Sequence, residues 1–158
     1  MIHFARLPSP VGELTIGADA TGITAIAFPG EMPTAQGAGN PSPLIREAVS
    51  QLRAYFAGRL VRFELPLNPA GTAFQKSVWQ ALLAVPHGAT ASYGEIAAAV
   101  GNPRAARAVG LANGRNPIAI VVPCHRIIGR DGSLTGYGGG LDRKRWLLAH
   151  ELRQRPPG

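Results

Sequence analysis

At 158 residues, 46% hydrophobic and 16% charged, the chain can bury a real core as one domain or as two small ones. No apolar run approaches eighteen residues, and no basic stretch followed by an apolar segment opens the chain. Neither a membrane helix nor a signal peptide is expected, and a soluble, cytoplasmic protein with no membrane partner is the expectation. The net charge of +7 is one-sided: residues 1–70 hold five arginines against five acids, and residues 71–158 hold eleven lysines and arginines against four acids.

The first half predicts a small α/β unit. Residues 2–7, 14–18 and 23–28 read as short strands parted by Ser9-Pro10-Val11-Gly12 and Asp19-Ala20-Thr21-Gly22, which gives a meander followed by a helix. Residues 29–43 carry four prolines and three glycines without apolar periodicity and read as a loop with no assigned function. Over residues 44–56, Leu44, Ala48, Leu52 and Tyr55 or Phe56 share one helical face, and Gly58 ends the helix. A returning strand is expected at residues 60–65. Residues 66–71 are the best linker, dividing an N-terminal domain at 1–70 from a C-terminal domain at 71–158.

The second half predicts a mainly helical domain. Thr72 and Gln75 form a capping box ahead of the stripe Phe74, Val78, Leu82 and Val85, with Trp79 in the core and a stop at Pro86-His87-Gly88. A second box, Ser92 with Glu95, opens a short helix closed by Gly101. Asn102 is expected to cap a third helix with Pro103 at its first position, so that the two short helices make a helix-turn-helix. Ala105, Ala106, Ala108, Gly110 and Ala112 give the third helix a small, smooth face from which Arg104, Arg107 and Asn113 are expected to reach outward. Such a helix can approach a duplex closely but offers few groups for reading bases, so phosphates would supply the affinity. The basic bias of this half favours nucleic acid over membrane, although an arginine-rich composition can also reflect codon usage.

Cys124 is the sole cysteine, which excludes an internal disulfide and a cysteine-based zinc site. Free cysteines usually pack as small hydrophobes, but here Pro123 precedes the thiol and His125 and Arg126 follow it, so its surroundings favour a nucleophile. If the segment is extended, His125 and Cys124 point to opposite faces and a bridging water would have to join them.

Phe74-Gln75, Val78-Trp79, Ser92-Tyr93-Gly94, Pro103, residues 106–110, Asn116-Pro117, Pro123-Cys124-His125-Arg126, Gly136-Tyr137 and Lys144 with Leu147-Leu148 together resemble the O6-alkylguanine-DNA alkyltransferases, also called methylated-DNA–protein-cysteine methyltransferases. The resemblance covers residues 72–152, while the first half matches only in length and layout. It implies a ribonuclease-H-like N-terminal domain and a monomer that binds duplex DNA in the minor groove, flips O6-alkylguanine out and keeps the alkyl group on Cys124. O4-alkylthymine is a further expected substrate. No cofactor is implied. With no cysteine before Cys124 and only His3 and His87 on that side, neither the N-terminal zinc site nor the fused metal-binding domain of some members is expected.

By the same resemblance Glu151 orients His125 in a Cys–water–His–Glu relay, and Asn116 ties the turn before Cys124 to the helix-turn-helix. Arg107 fills the space left by the flipped base, and Tyr93 crowds the adjacent phosphate. Arg104, Ala106, Ala108 and Asn113 complete the DNA face. Tyr137, the backbone of Gly138, and Ile127 line the guanine pocket, and Lys144 either assists there or faces solvent. Arg126 is expected to anchor local structure, and Trp146, His3, His87 and His150 to pack or lie at the surface. Two other readings are a lesion binder of the alkyltransferase-like kind, which lacks the cysteine at this position, and a helix-turn-helix transcription regulator, which would leave Cys124, His125 and Glu151 idle.

Overall fold

The computed structural model describes residues 3–31 and 42–154; the start of the first predicted strand and most of the predicted loop at 29–43 lie outside the described residues. The chain forms two units. One comprises the residues up to Ala70 together with Pro117–Ala119, and the other comprises Gly71–Asn116 and the chain from Ile120 onward. The expected second domain is thus interrupted for three residues, because the backbone at Ile26 donates to the Pro117 carbonyl and accepts from the Ala119 N–H, 3.0 Å each.

In the first unit β1 (His3–Leu7), β2 (Leu14–Ala18) and β3 (Ile23–Ala27) form an antiparallel sheet in that order. Asp19 makes the second turn, its Oδ1 accepting from the N–H of Thr21 at 2.8 Å and of Gly22 at 3.0 Å. These bonds favour the charged form and lower the Asp19 pKa. Gly22 is required there because a Cβ would stand 2.8 Å from the Pro66 carbonyl oxygen. Helix α1 (Pro43–Phe56) begins with Ser42 accepting from the Ile45 N–H and with proline in its first turn. It buries Ile45, Ala48, Leu52 and Tyr55 with Leu14, Ile16, Ile23 and Ile26 of the sheet in this unit's core.

Residues 60–65 are not the predicted strand. The Gln51 side chain takes both backbone groups of Glu64, donating to its carbonyl at 3.0 Å and accepting from its N–H at 2.9 Å. Backbone pairing returns only at Leu67, in an isolated bridge with Ile23.

In the second unit both predicted capping boxes are present, Thr72 with Gln75 at the head of α2 (Ala73–Leu82) and Ser92 with Glu95 at the head of α3 (Tyr93–Ala99). Helix α4 (Ala106–Gly114) starts later than predicted. The Ala105 N–H closes a turn on the Asn102 carbonyl, so Pro103 and Arg104 lie on that turn and no side chain caps the helix. Helix α5 (Leu141–Arg153) completes the unit. A two-residue parallel pair, β4 (Ala91–Ser92) with β5 (Ile127–Ile128), ties the start of α3 to the segment just past Cys124. Val78, Trp79, Leu82, Ile96, Val109, Ala112, Ile127 and Leu147 form the core, with the Trp79 indole donating to the Ala112 carbonyl at 2.9 Å. Among the described residues no helix is long and apolar enough to cross a membrane.

Candidate active site

The backbone bends sharply on its way to Cys124. Ile120 sits at φ 71°, a left-handed conformation that is strained for a β-branched residue, and its side chain is fully buried. Two asparagines hold the bend: Asn116 Nδ2 donates to the Val122 carbonyl at 2.9 Å, and Asn113 Nδ2 to the Cys124 carbonyl at 3.3 Å. Asn116 therefore connects the end of the helix-turn-helix to the segment before the cysteine. Asn113 does not belong to the outward face. It lies four residues after Val109, on the inward side of α4 beside Ala112, and is 5% exposed.

Cys124–Arg126 is a 3₁₀ turn rather than an extended segment, so the premise that sets Cys124 and His125 on opposite faces does not hold. Cys124 is buried, and burial pushes its thiol pKa up; the Asn116 and Tyr137 side chains and the charge of Lys144 work in the opposite direction. His125 is completely buried, and its Nε2 lies 2.6 Å from Glu151 Oε2. The Arg126 guanidinium grips the same carboxylate through Nε at 2.7 Å and Nη2 at 3.1 Å, while Nη1 donates to the Val85 carbonyl at 2.6 Å. This fork is the anchor role expected of Arg126.

The protonation states follow from these contacts. Burial alone would raise the Glu151 pKa, but the hydrogen bonds and charges of His125 and Arg126 reverse that and hold the carboxyl well below the usual carboxylate range. Burial lowers the His125 pKa despite Glu151, so the imidazole is neutral. A carboxylate only accepts, so the single ring proton belongs on Nε2 and points at Glu151. Nδ1 then carries a bare lone pair; it is buried and has no hydrogen-bond partner among the described residues. A thiol one residue away, an imidazole with a free acceptor and a fixed carboxylate behind it make a base-activated nucleophile.

Lys144 does not face solvent. It shares the inner face of α5 with Leu147 and Glu151, is fully buried, and donates from Nζ to the Thr135 carbonyl at 3.3 Å. Burial lowers its pKa, and the charge of Cys124 opposes that. Tyr137 is half-buried and Gly138 exposed, while Ile127 is buried in the β4–β5 pair. On the helix-turn-helix Arg104, Arg107 and Ala108 are exposed and Ala106 is half-buried. The Tyr93 ring lies in ordinary contact range of a Cβ built at Gly110, and its hydroxyl is bonded to the Thr135 hydroxyl. Of the residues expected to pack or lie at the surface, His150 is buried and its ring stacks on Trp146 with centroids 4.7 Å apart. The sequence reading missed Thr135, and the local sequence carries no signal for it, since Tyr93 is 42 residues away.

The comparisons with known proteins identify the family. Residues 73–153 match the DNA-binding domain of 6-O-methylguanine DNA methyltransferase, and residues 2–69 match its ribonuclease-like domain. A methylated-DNA–protein-cysteine methyltransferase of Mycobacterium tuberculosis is 51% identical over 158 residues, covering 99% of this chain and 96% of the relative. The crystal structure of the M. tuberculosis O6-methylguanine methyltransferase is similar with a TM-score of 0.90 at 48% identity, covering 100% of this chain and 97% of that one. A structure of the M. tuberculosis protein OGT in complex with DNA is similar with a TM-score of 0.88 at 50% identity, covering 98% and 95%. With both of its halves matched and a half-identical relative aligned along nearly its whole length, the chain belongs to the 6-O-methylguanine DNA methyltransferase family.

Proposed function

We propose that this chain repairs DNA by moving the alkyl group of O6-alkylguanine onto Cys124, irreversibly and once per molecule. The observation that carries this reading is the buried thiol followed by an imidazole whose Nε2 is fixed on a carboxylate and whose Nδ1 is free to take a proton. The Cys124 proton passes to His125 Nδ1, directly or through a water, and the resulting imidazolium is stabilised by the Glu151 charge 2.6 Å away. The thiolate sulfur attacks the alkyl carbon, an S–C bond forms and the C–O6 bond breaks. Its electron pair returns to the purine, which takes up a proton. Tyr137 and the backbone N–H of Gly138 are placed in the role of holding the guanine. A thioether has no leaving group that water can displace at neutral pH, so the thiol is not regenerated.

DNA binding is assigned to the exposed face of α4 and the turn before it, where Arg104 and Arg107 project past small side chains. That face suits the minor groove of duplex DNA with little reading of sequence. The protein acts as a monomer in the compartment that holds the chromosome, the cytoplasm of a prokaryotic-type cell, and O4-alkylthymine is a second candidate substrate. Incubating the protein with a duplex carrying O6-methylguanine, weighing it intact and mapping the adduct tests the assignment. One methyl on Cys124 and no turnover beyond one equivalent are expected; an unmodified cysteine or repeated turnover overturns it.

Arg107 separates binding from flipping. If its side chain fills the gap left by the flipped base, Arg107→Ala slows transfer even at saturating DNA, and slows it less for a lesion in an easily unpaired mismatch, where extrusion costs less than the few kcal/mol needed from a stacked pair. Single-turnover rates on paired, mismatched and single-stranded substrates decide it. Equal fractional losses on all three would leave Arg107 as a phosphate contact only.

A further inference from the structure

The loop at residues 129–140 has little of its own to hold it in place. Six of its twelve residues are glycine, and its first turn closes on itself, with the Gly129 N–H on the Ser133 carbonyl and the Ser133 N–H on Asp131 Oδ1. Yet Tyr137, whose side chain works against the burial that raises the Cys124 thiol pKa, stands on this loop. The geometry therefore has to be imposed from outside, and one residue receives two such constraints.

The Thr135 hydroxyl is bonded to the Tyr93 hydroxyl at the start of α3, and the Thr135 carbonyl accepts from Lys144 Nζ on α5. The first bond reaches back 42 residues to the helix-turn-helix and the second reaches forward nine to the helix that carries Glu151. Tyr93 is itself positioned, because its hydroxyl is delivered from the first turn of a capped helix and its ring lies over Gly110 of α4. The Lys144 side chain is fully buried, on the inner face of α5 that also carries Leu147 and Glu151. Both partners thus stand on helices, which is what a glycine-rich segment needs if it is to present Tyr137 in one place.

We propose that Thr135 is a positioning residue for the alkyl transfer, its hydroxyl on Tyr93 and its carbonyl on Lys144 clamping the loop that carries Tyr137 between the helix-turn-helix and α5. The inference rests on the reading that Cys124 takes the alkyl group. It adds a physical link from the DNA-facing helix pair to the loop beside the thiol: Tyr93 to Thr135 through hydroxyls, and Thr135 to Tyr137 along two residues of backbone. Threonine suits this place because its β-branch restricts χ1 and so aims the hydroxyl, whereas the neighbouring Gly136 aims nothing.

The test is a double-mutant cycle on the hydroxyl pair with single-turnover transfer from an O6-methylguanine duplex at saturating DNA. Thr135→Val keeps the branched shape and removes the hydroxyl, Tyr93→Phe removes the other hydroxyl, and Thr135→Ser keeps the bond. Each of the first two is expected to slow transfer by about three- to tenfold, the range spanned by one hydrogen bond, and Thr135→Val to keep duplex affinity within about twofold of wild type. The double variant is expected to be no slower than the slower single one, and Thr135→Ser to stay within about twofold of wild type. Thr135→Val at the wild-type rate, or losses that multiply in the double variant, overturns the clamp. Because Tyr93→Phe and Thr135→Ser probe the same bond from either end, misfolding of Thr135→Val alone does not remove the test. The wild-type protein in the same assay reports on the underlying reading: no methyl on its Cys124 defeats that reading, whereas normal methylation with an indifferent cycle defeats only the role of Thr135.

Discussion

Cys124→Ser is expected to abolish alkyl transfer completely while leaving the affinity for a duplex containing O6-methylguanine within about twofold of wild type. The serine hydroxyl is far less acidic than a thiol and is a poor nucleophile toward carbon, and a neutral His125 is too weak a base to ionise it. Binding survives because Cys124 is buried, whereas the arginines assigned to DNA binding, Arg104 and Arg107, are exposed. The fold survives as well. The change swaps one small side chain for another of nearly the same shape, so it is expected to cost no more than about 1 kcal/mol, or about 2–4 °C in Tm for a chain of this size. Mobility shift and intact-mass measurements on one preparation decide the matter. A parallel loss of both activities would make Cys124 a structural residue.

Glu151→Gln is expected to damage both chemistry and stability, and by separable routes. The carboxylate sits under two donors at once, the His125 ring at 2.6 Å and the Arg126 fork at 2.7 Å and 3.1 Å, all of them buried. Replacing it with an amide leaves the Arg126 charge without its counter-ion, for which about 3–5 kcal/mol of stability is the usual loss. The amide also removes the charge that stabilises a protonated His125. Transfer at saturating DNA should fall by at least about tenfold, part of the roughly 10²–10⁴-fold that a positioned base contributes.

The pH dependence of unfolding gives an independent check. The Glu151 pKa is depressed in the folded state, so its contribution is fully present above the unfolded value of about 4.3 and is lost as pH falls through the lower folded value. His125 is kept neutral by burial and also destabilises the fold as pH drops below its unfolded value of about 6.5. Wild-type stability should therefore decline on the acid side, and Glu151→Gln should flatten the part of that decline below about pH 4.3. A denaturant midpoint that tracked pH identically in both proteins would show that the carboxylate is not the ion pair described.

Elements whose determinants lie within a few residues were legible in the sequence. The two capping boxes need only a hydroxyl and a glutamine or glutamate three positions on, and both formed as read. The strand meander followed from alternating apolar residues and from Asp19 with Gly22 at the turn. What escaped depends on groups distant in sequence. Gln51, 13 residues upstream, occupies the backbone of Glu64 and leaves residues 60–65 without a ladder. The turn on Asn102 delays α4, and the Cys124–Arg126 turn alters the relation between the thiol and its base. One error of facing is avoidable: counting 3.6 residues per turn from Val109 puts Asn113 inside. The same count back from Leu147 decides between the two places open to Lys144, in favour of the interior. The candidate triad of Cys124, His125 and Glu151 was legible through the resemblance, whereas the Arg126 fork on Glu151 spans 25 residues and had no local sign.

The burial of Cys124 also bears on how such a protein lasts until it is needed. A reagent that reacts once and is never restored is wasted by every encounter with a soluble electrophile or oxidant. At 6% exposure, with burial holding the thiol toward its protonated form, the sulfur is shielded from small alkylating agents and peroxides that attack exposed thiolates first. The nucleophile is thus stored in its less reactive form, and shelf life rather than speed is what the closed packing around it secures.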